Sequence, residues 1–470
     1  MVTSRRVSES PVFDVAEAMR VAREVARFEW SWSASDIEQL QSLLAPIKLS
    51  GAKMRFATST ELDIVRVFIA DIPLHSVDDA EREALRTGFA ALRMDLIEAW
   101  GEPDSDIDGD TRSLVWVLPQ VVVQLNCRTH SVSYLLFRPD AHRSAEAARR
   151  ARQEQDEQRT DFAPFLAVLP HIANAHLRSW SRSDLDPLFE AVGWPIDISK
   201  EDLVAEQNGD AVQASLHASR TEEYMDADRW GFGEYRELRL SQRLSSRVVP
   251  EAYAAALRSC VELLGPPPVV GGPDAQAIWR GAKVTYTLST SSSGLQFAAT
   301  PTEAVEGREY WESKWDEDWE SPLRWLVTTG ADGVRFGTRD WWVHERPAET
   351  WSMLDDYITE LFPSLAGDLA LLAPYATGVV WVLRVAEEPG PFVQGWFADD
   401  GAGLEIHLPG AEPVVRSYPP SFESGRRIAA ETTAALRKFG VASPTDLEME
   451  AWAPWGTTQA LDTFRLGFKR

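Results

Sequence analysis

The stretch Trp32-Ser-Ala-Ser-Asp36 recurs 148 residues later as Trp180-Ser-Arg-Ser-Asp184, and an apolar residue follows the Asp in both places. Ser and Asp in front of apolar residues spaced by three are typical of a helix start, because their oxygens accept hydrogen bonds from N–H groups at the helix end. Self-similarity of this kind predicts repeated modules. The stretch, which we call the Trp-Ser motif, therefore marks one helix start in each of two copies.

A second block repeats further along each copy, at residues 89–103 and 253–267. Each block carries an apolar stripe with helical spacing and ends at Gly101 or Gly265, with a Pro two residues later. Gly is preferred just after a helix because it adopts the left-handed backbone conformation without steric cost. The pattern predicts a second helix in each copy.

Stretches rich in apolar and β-branched residues follow that helix in both copies. Residues 116–125 and 133–137 of the first copy correspond to residues 279–288 and 295–300 of the second. Such composition is typical of strands. The order helix, strands, helix, strands predicts a small α+β module in which helices pack on a mostly antiparallel sheet.

The chain of 470 residues is long enough for about three domains. The tandem repeat accounts for two α+β modules, and the remaining sequence predicts a third. Between the copies lies a stretch that is nearly all charged or helix-favouring, which indicates a solvated helical linker. The predicted division is a first repeat module at 1–140, a charged helical linker at 141–165, a second repeat module at 166–304, an acidic Trp-bearing connector at 305–324 and a third module at 325–470.

The acidic connector follows the second copy and places Trp311, Trp315 and Trp319 at spacings of four. On a helix these three side chains would form a ridge along one side. The ridge either packs onto its own domain or anchors a partner, since Trp is among the residue types most enriched in binding hot spots. Residues 301–320 hold eight acids and two bases, so a partner on this segment would carry a basic surface.

The third module has its own pattern. Residues 350–371 predict one or two amphipathic helices, interrupted near Pro363. Three apolar stretches separated by Pro-Gly and Asp-Gly turns then predict a meander of three strands. A helix is predicted from Glu423 to Phe439, ending at Gly440.

Within this module the stretches Phe392-Val-Gln-Gly-Trp396, Gly403-Leu-Glu405 and Leu436 to Pro444 resemble the TY-Chap family, whose domains are similar to YbjN and to type III secretion chaperones. The likeness covers residues 351–452 and departs at Val441, where the family usually has Trp. It implies a chaperone-like α+β module in a cytoplasmic protein that binds other proteins near secretion or toxin–immunity systems. Trp396 then joins the three connector Trp residues as a candidate protein-binding residue.

The two N-terminal copies resemble an actinobacterial domain family of unknown function. The Trp-Ser motif and the Gly-x-Pro phrases that end the second helix of each copy carry this likeness. The resemblance implies no particular activity.

One loop suggests a metal, at residues 104–110, where carboxylates occupy positions 1, 3 and 5 of a calcium loop and Gly109 occupies position 6. Position 12 is Val115 instead of a bidentate Glu, so a solvated turn is favoured over a calcium site. The sequence lacks a zinc motif, a phosphate-binding Gly-rich loop and a nucleophile elbow. We therefore expect no metal, no cofactor and no catalytic residue.

The net charge of −25 excludes two classes of partner. Such an acid excess repels nucleic-acid phosphates and anionic lipid surfaces, so neither nucleic acid nor a membrane is expected. Two Cys residues cannot form a disulfide framework, which favours a reduced, cytoplasmic chain.

Three functional hypotheses follow. The first is a non-enzymatic protein-binding protein, chaperone-like or an adaptor for a secreted protein client. The second is an immunity-type inhibitor of a bacterial toxin, which would bind one folded enzyme tightly. The third is an enzyme of unrecognised type, which a deep pocket that brings together Asp399, Glu405 or His407 would favour.

Overall fold

The computed structural model describes most of the chain. The described residues are 14–47, 56–58, 64–71, 79–107, 112–127, 131–193, 203–207, 212–218, 234–291, 294–306, 325–328, 348, 350–373, 375–385, 391–408, 410–452 and 460–462. The chain divides into two compact units, Met1–Gln153 and Glu154–Arg470.

In the described part of the first unit, three helices pack on one antiparallel sheet. Fully buried residues of the first helix, such as Ala18, Val21 and Val25, join the core formed with the sheet. The sheet has the strand order β1-β2-β6-β5-β4-β3. Its elements are α1 (Val15–Arg27), α2 (Ala34–Leu44), β1 (Phe56–Thr58), β2 (Ile64–Asp71), α3 (Asp79–Trp100), β3 (Ser105–Ile107), β4 (Arg112–Val117), β5 (Val122–Cys127) and β6 (Ser131–Phe137).

A solvated helix, α4 (Pro139–Gln158), crosses the boundary between the two units. None of its residues is buried, and Glu146 forms ion pairs with Arg149 and Arg150 on its surface. The helix lies where the sequence predicts a charged helical linker.

Apart from one additional strand, the second unit begins with a set of elements in the same order as the first. These are α5 (Ala163–Ala173), α6 (Arg182–Val192), β7 (Leu203–Gln207), β8 (Val212–Ala218), β9 (Tyr235–Arg243), α7 (Val249–Leu264), β10 (Val269–Gly272), β11 (Gln276–Arg280), β12 (Val284–Ser291) and β13 (Gly294–Pro301). Their sheet runs β20-β14-β10-β11-β12-β13-β9-β8-β7, where β14 is Trp325–Thr328 and β20 is Ala460–Asp462. The central order from β8 to β10 reproduces that from β1 to β3, and β7, β14 and β20 are added at the edges.

The added strands come from other parts of the chain. Strand β14 (Trp325–Thr328) pairs with β10, and β20 (Ala460–Asp462) pairs with β14. One hydrophobic core runs from Phe165 to Met449 and includes residues on both sides of position 325. The module boundary at residue 325 stays a prediction, and the strand that begins there belongs to the preceding sheet.

The last part of the chain packs two helices on a five-stranded antiparallel sheet of order β18-β17-β16-β15-β19. Its elements are α8 (Trp351–Leu372), β15 (Val379–Val385), β16 (Phe392–Ala398), β17 (Gly401–His407), β18 (Val414–Tyr418), α9 (Phe422–Lys438) and β19 (Leu447–Trp452). Strands β15 to β17 are the expected meander. The prediction of an α+β fold, with helices on antiparallel sheets, is confirmed.

Three local expectations need correction. Helix α8 is continuous although Pro363 lies inside it, and Gly425 of α9 packs directly against Pro363 and the Phe362 carbonyl, so tertiary packing overrides the local tendency to break. The stretches 116–125 and 279–288 are each parts of two strands. In the first stretch the chain turns where the Leu118 N–H donates a hydrogen bond to the Val121 carbonyl. In the second it turns where the Gly281 N–H donates to the Val284 carbonyl.

The third correction concerns the Trp-Ser motif. A helix starts within each motif as expected, but it begins after Ser33 or Ser181, so that Asp36 and Asp184 lie in the first turn, and neither Ser33 nor Ser181 caps its helix through the side chain. Instead Asp36 reaches back and accepts hydrogen bonds from the backbone N–H groups of Ser31, at 2.8 Å, and Trp32, at 2.6 Å. The carboxylate therefore holds the loop in front of the helix rather than the helix end.

The second Trp-Ser motif has a similar geometry. Asp184 accepts backbone hydrogen bonds from Arg178, Ser179 and Trp180. Both motif Trp residues have a left-handed backbone, with φ of 57° at Trp32 and 52° at Trp180. That conformation is uncommon for a bulky residue, and the Asp bonds hold it in place in both copies.

A second contact also occurs in both regions of the chain. The indole N–H of Trp116 donates to the Gly101 carbonyl at 3.0 Å, and that of Trp279 donates to the Gly265 carbonyl at 2.7 Å. Both Gly residues follow a helix with positive φ, 86° and 82°. Each Trp therefore ties a sheet strand to the end of the preceding helix. Among the residues that the structure describes, no helix has the length and apolar character of a membrane span.

Candidate functional site

The C-terminal sheet presents two different faces. Its strands alternate, so that Trp381 and Phe397 are fully buried and contact Phe362 of α8, with ring centroids 4.6 and 5.4 Å away. The alternate residues along each strand point to the other side of the sheet, away from the helices. We call this second side the outer face, and define it by Arg384, Phe392, Gln394, Trp396, Gly403, Glu405, His407, Val415, Glu448, Glu450 and Trp452.

Two glycines explain how the Gly395-Trp396 pair fits into the sheet. A Cβ atom on Gly395 would lie 2.6 Å from the Trp381 ring, so this Gly leaves room for a buried indole on the inner face. Gly403 lies opposite Trp396 in the register of β16 and β17, and a Cβ atom there would lie 2.0 Å from the Trp396 ring. The Trp396 indole therefore lies flat over the backbone of Gly403 on the outer face, half-buried.

A polar network occupies the centre of the outer face. Glu405 Oε2 accepts a hydrogen bond from Gln394 Nε2 and contacts His407 Nε2 at 3.1 Å. These contacts, first with Gln394 and then with His407, lower the pKa of Glu405 below its usual value. The His407 ring stacks on Phe392, with centroids 4.1 Å apart and an interplanar angle of 12°. The carboxylate is thus held ionised and in a fixed orientation.

The structure brings two of the three residues of the enzyme hypothesis together. Glu405 and His407 are in contact, whereas Asp399 lies in the exposed turn between β16 and β17. The pair is half-buried on the face of a sheet. A carboxylate that accepts two side-chain hydrogen bonds is oriented well for recognition of a positively charged or N–H group.

Apolar side chains surround this network. Val415 on the edge strand β18 is 57% exposed and Trp452 on β19 is 36% exposed. The guanidinium of Arg384 bridges Glu448, at 3.0 Å, and Glu450, at 2.8 Å. Glu405 adds a third carboxylate to this face, so the outer face combines accessible apolar surface with more negative than positive side chains.

The predicted site residues are placed as follows. Trp396 lies on the outer face, whereas Trp311, Trp315 and Trp319 lie outside the described residues. In the suspected calcium loop, Asp104 accepts a hydrogen bond from the Val117 N–H at 2.7 Å. Asp106 forms an ion pair with Arg93 at 3.0 Å, whereas Asp108 and Asp110 lie outside the described residues. Within the described ranges no group of three or more His, Cys, Asp or Glu is arranged to hold a metal ion.

Sequence reasoning missed a buried polar cluster in the second unit. Asp368 on α8 is completely buried, and its Oδ2 atom accepts a hydrogen bond from the Ser364 hydroxyl at 2.7 Å. The same hydroxyl accepts from the indole N–H of Trp325 on β14, also at 2.7 Å. A usable signal was present: Asp368 interrupts an apolar stripe that includes Leu361 and Leu365.

Comparison with protein families matches one part of the chain. Residues 16–136 match the model of a family of unknown function, DUF6301. The expected likeness to a family of unknown function is thereby confirmed for this stretch of the first module. The TY-Chap family is not matched in the C-terminal part. No curated protein matches the chain.

Proposed function

We propose that the protein is a non-enzymatic, chaperone-like or adaptor protein that binds a protein client through the outer face. The observation that carries this proposal is the combination of Trp396, Trp452 and Val415 with an oriented carboxylate, Glu405, on one accessible sheet face. Aromatic anchors with a few positioned polar groups are typical of protein-binding surfaces.

The charge of the face favours a client with basic residues. Arg384 is already engaged by Glu448 and Glu450, and Glu405 adds a further negative charge. Carboxylates on a surface of an acidic chain accelerate the encounter with a basic partner and disfavour an acidic one. Binding should therefore weaken as the salt concentration rises.

The TY-Chap resemblance of residues 351–452 supports a chaperone-like role beside a secretion or toxin–immunity system in the cytoplasm. In this proposal the modules 1–140 and 166–304 are two copies of one unit. Their matching strand order and their equivalent Asp36 and Asp184 contacts support that relationship. The connector residues Trp311, Trp315 and Trp319 remain proposed as a second protein-binding element.

The test uses two model clients of similar structure and opposite charge, reduced lysozyme, which is basic, and reduced α-lactalbumin, which is acidic. The full chain is added in equal amount to each unfolding client, and aggregation is followed by light scattering. We expect aggregation of lysozyme to be delayed several-fold and that of α-lactalbumin to be affected less, because the outer face is acidic.

A matched pair of variants assigns the activity to the outer face. Val415→Lys places a positive charge opposite Glu405 on a residue that is 57% exposed, so the fold should tolerate it. Met94→Lys makes the same kind of change at a residue of α3 that is 64% exposed. We expect only Val415→Lys to abolish the delay. Equal aggregation with and without the wild-type chain would contradict a chaperone-like function, and binding of folded lysozyme alone would favour an inhibitor.

A further inference from the structure

The Asp368 cluster joins segments of the second unit that are far apart in the sequence. A Cβ atom on Gly272, the last residue of β10, would lie 2.4 Å from Ser364 Oγ and 2.8 Å from Asp368 Oδ2. The backbone of β10 therefore packs directly on the polar side chains of α8. The turn that follows has φ of +66° at Asp274 and +26° at Ala275. Such values persist in non-Gly residues only where the surrounding structure holds them.

The carboxyl of Asp368 has no positive partner among the described side chains. Its Oδ1 atom has no hydrogen-bond partner, and its charged neighbour is Asp274, on the turn between β10 and β11. Tyr253 on α7 faces the Asp368 carboxyl and lies near Cys260. Burial raises the pKa of Tyr253 well above its usual value and that of Cys260 to about 12, so both groups stay neutral through the neutral range.

Burial is also the main influence on Asp368. It raises the pKa of this carboxyl to about 7, and the negative charge of Asp274 acts in the same direction. The Ser364 hydroxyl and the backbone N–H groups of Ala275 and Asp274 act in the opposite direction without overcoming burial. An ionised carboxylate in this place has lost its water and gained no countercharge.

We propose that Asp368 is a proton-dependent latch, which holds the turn between β10 and β11 on α8 while its carboxyl is neutral and loosens this contact when the carboxyl ionises. The geometry supports the latch because Asp368 and Ser364 touch β10, β14 and the turn at once. Neutral Asp368 keeps these segments together without a buried charge.

The sign of the effect follows from the direction of the shift. Because the pKa of Asp368 is raised to about 7 from 3.8, its protonation stabilises the closed state fully below pH 3.8, and this stabilisation is lost as the pH rises through 7. Between pH 5 and pH 8.5 these two values correspond to an increase of about 100-fold in the population of the opened state.

The experiment measures hydrogen exchange of the full chain by mass spectrometry at pH 5 and pH 8.5, with rates corrected for the intrinsic effect of pH. In the wild type we expect protection of the peptides that contain Gly272 to Gln276 and Ser364 to Asp368 to fall by up to about 100-fold. In Asp368→Asn, which keeps the shape of the neutral acid, the protection of these peptides should be nearly independent of pH.

Asp355→Asn is the matched control, since Asp355 lies on the same helix and pairs with Arg437 near the surface. In this variant the protection of the latch peptides should still fall between pH 5 and pH 8.5, as in the wild type. A second measurement needs no substitution: infrared spectra of the wild type should show the carbonyl band of a neutral buried carboxylic acid at pH 5 and lose it by pH 8.5. Equal pH dependence of exchange in wild type and Asp368→Asn, or a wild-type spectrum without that band, would overturn the latch.

Discussion

Replacement of Asp36 by Ala tests whether the Trp-Ser motif is a structural clamp. The wild-type carboxylate accepts backbone hydrogen bonds from Ser31 and Trp32, and hydroxyl hydrogen bonds from Ser31, at 2.7 Å, and Ser33, at 3.1 Å. Only 4% of Asp36 is exposed. Its removal leaves the left-handed Trp32 without the contacts that hold its backbone.

The expected loss of stability is smaller than the summed energies of these four hydrogen bonds. Hydrogen bonds to a charged group contribute roughly 1.5–3 kcal/mol each when buried, but Ser31 is exposed and its groups regain water. We therefore expect a loss of about 3 kcal/mol in the free energy of unfolding of the first unit. For a unit of this size, that loss corresponds to a decrease in Tm of about 6–12 °C.

The assay is differential scanning calorimetry of the full chain. Asp36→Ala should shift the transition of Met1–Gln153, and Asp184→Ala should shift that of Glu154–Arg470. Glu38→Ala, at an exposed position on the same helix as Asp36, is the control and should leave Tm unchanged. A decrease of less than about 2 °C for Asp36→Ala, or an equal decrease for the control, would refute the clamp.

The pH dependence of this variant provides a second readout. Burial raises the pKa of Asp36, but the hydrogen bonds from Ser31, Trp32 and Ser33 together lower it below the usual 3.8. A lowered pKa means that the stabilisation is present above pH 3.8 and is lost as the pH falls through the folded-state value. The difference in Tm between wild type and Asp36→Ala should therefore shrink in strong acid.

Two further predictions concern packing, and both are checked by urea denaturation. Trp116→Phe and Trp279→Phe each remove an indole hydrogen bond to a backbone carbonyl. Each variant should therefore lower the free energy of unfolding of its own unit by about 1 kcal/mol. Unequal effects would contradict the equivalence of the two copies. Gly403→Ala should cost roughly 1–3 kcal/mol because its methyl group overlaps the Trp396 ring, while Gly401→Ala, which meets only a carbonyl at 3.4 Å, should cost much less.

Several features could be predicted because they depend on neighbouring residues. The solvated helix α4 follows from a stretch without an apolar stripe, and the meander of β15 to β17 follows from apolar strands separated by turn residues. The helix starts after Ser33 and Ser181 are likewise local. In each case the deciding interactions lie within a few residues along the chain.

Other features could not be predicted because they depend on residues far away in the sequence. The continuity of α8 through Pro363 depends on packing of Gly425, and the position of Trp396 depends on the absence of a side chain at Gly403. In both cases the glycine lies in another element, so the sequence around Pro363 or Trp396 does not reveal it. The sequence predicted Trp396 as a binding residue and named Glu405 and His407 only for an enzyme pocket. Their contact with each other and with Gln394 required the strand register.

By itself the sequence determined the α+β class, the duplicate Trp-Ser motif and the acidic character of the chain. Hydrophobic periodicity, turn and helix-ending residues, and charge are all properties of short stretches. Only the tertiary structure decided that Trp325 joins the sheet of the preceding module and that Asp368 is buried without a countercharge. The physical reason is that burial is a property of the assembled core. The same Asp on an exposed helix would stay ionised, whereas burial, together with the nearby charge of Asp274, raises its pKa to about 7 in the core.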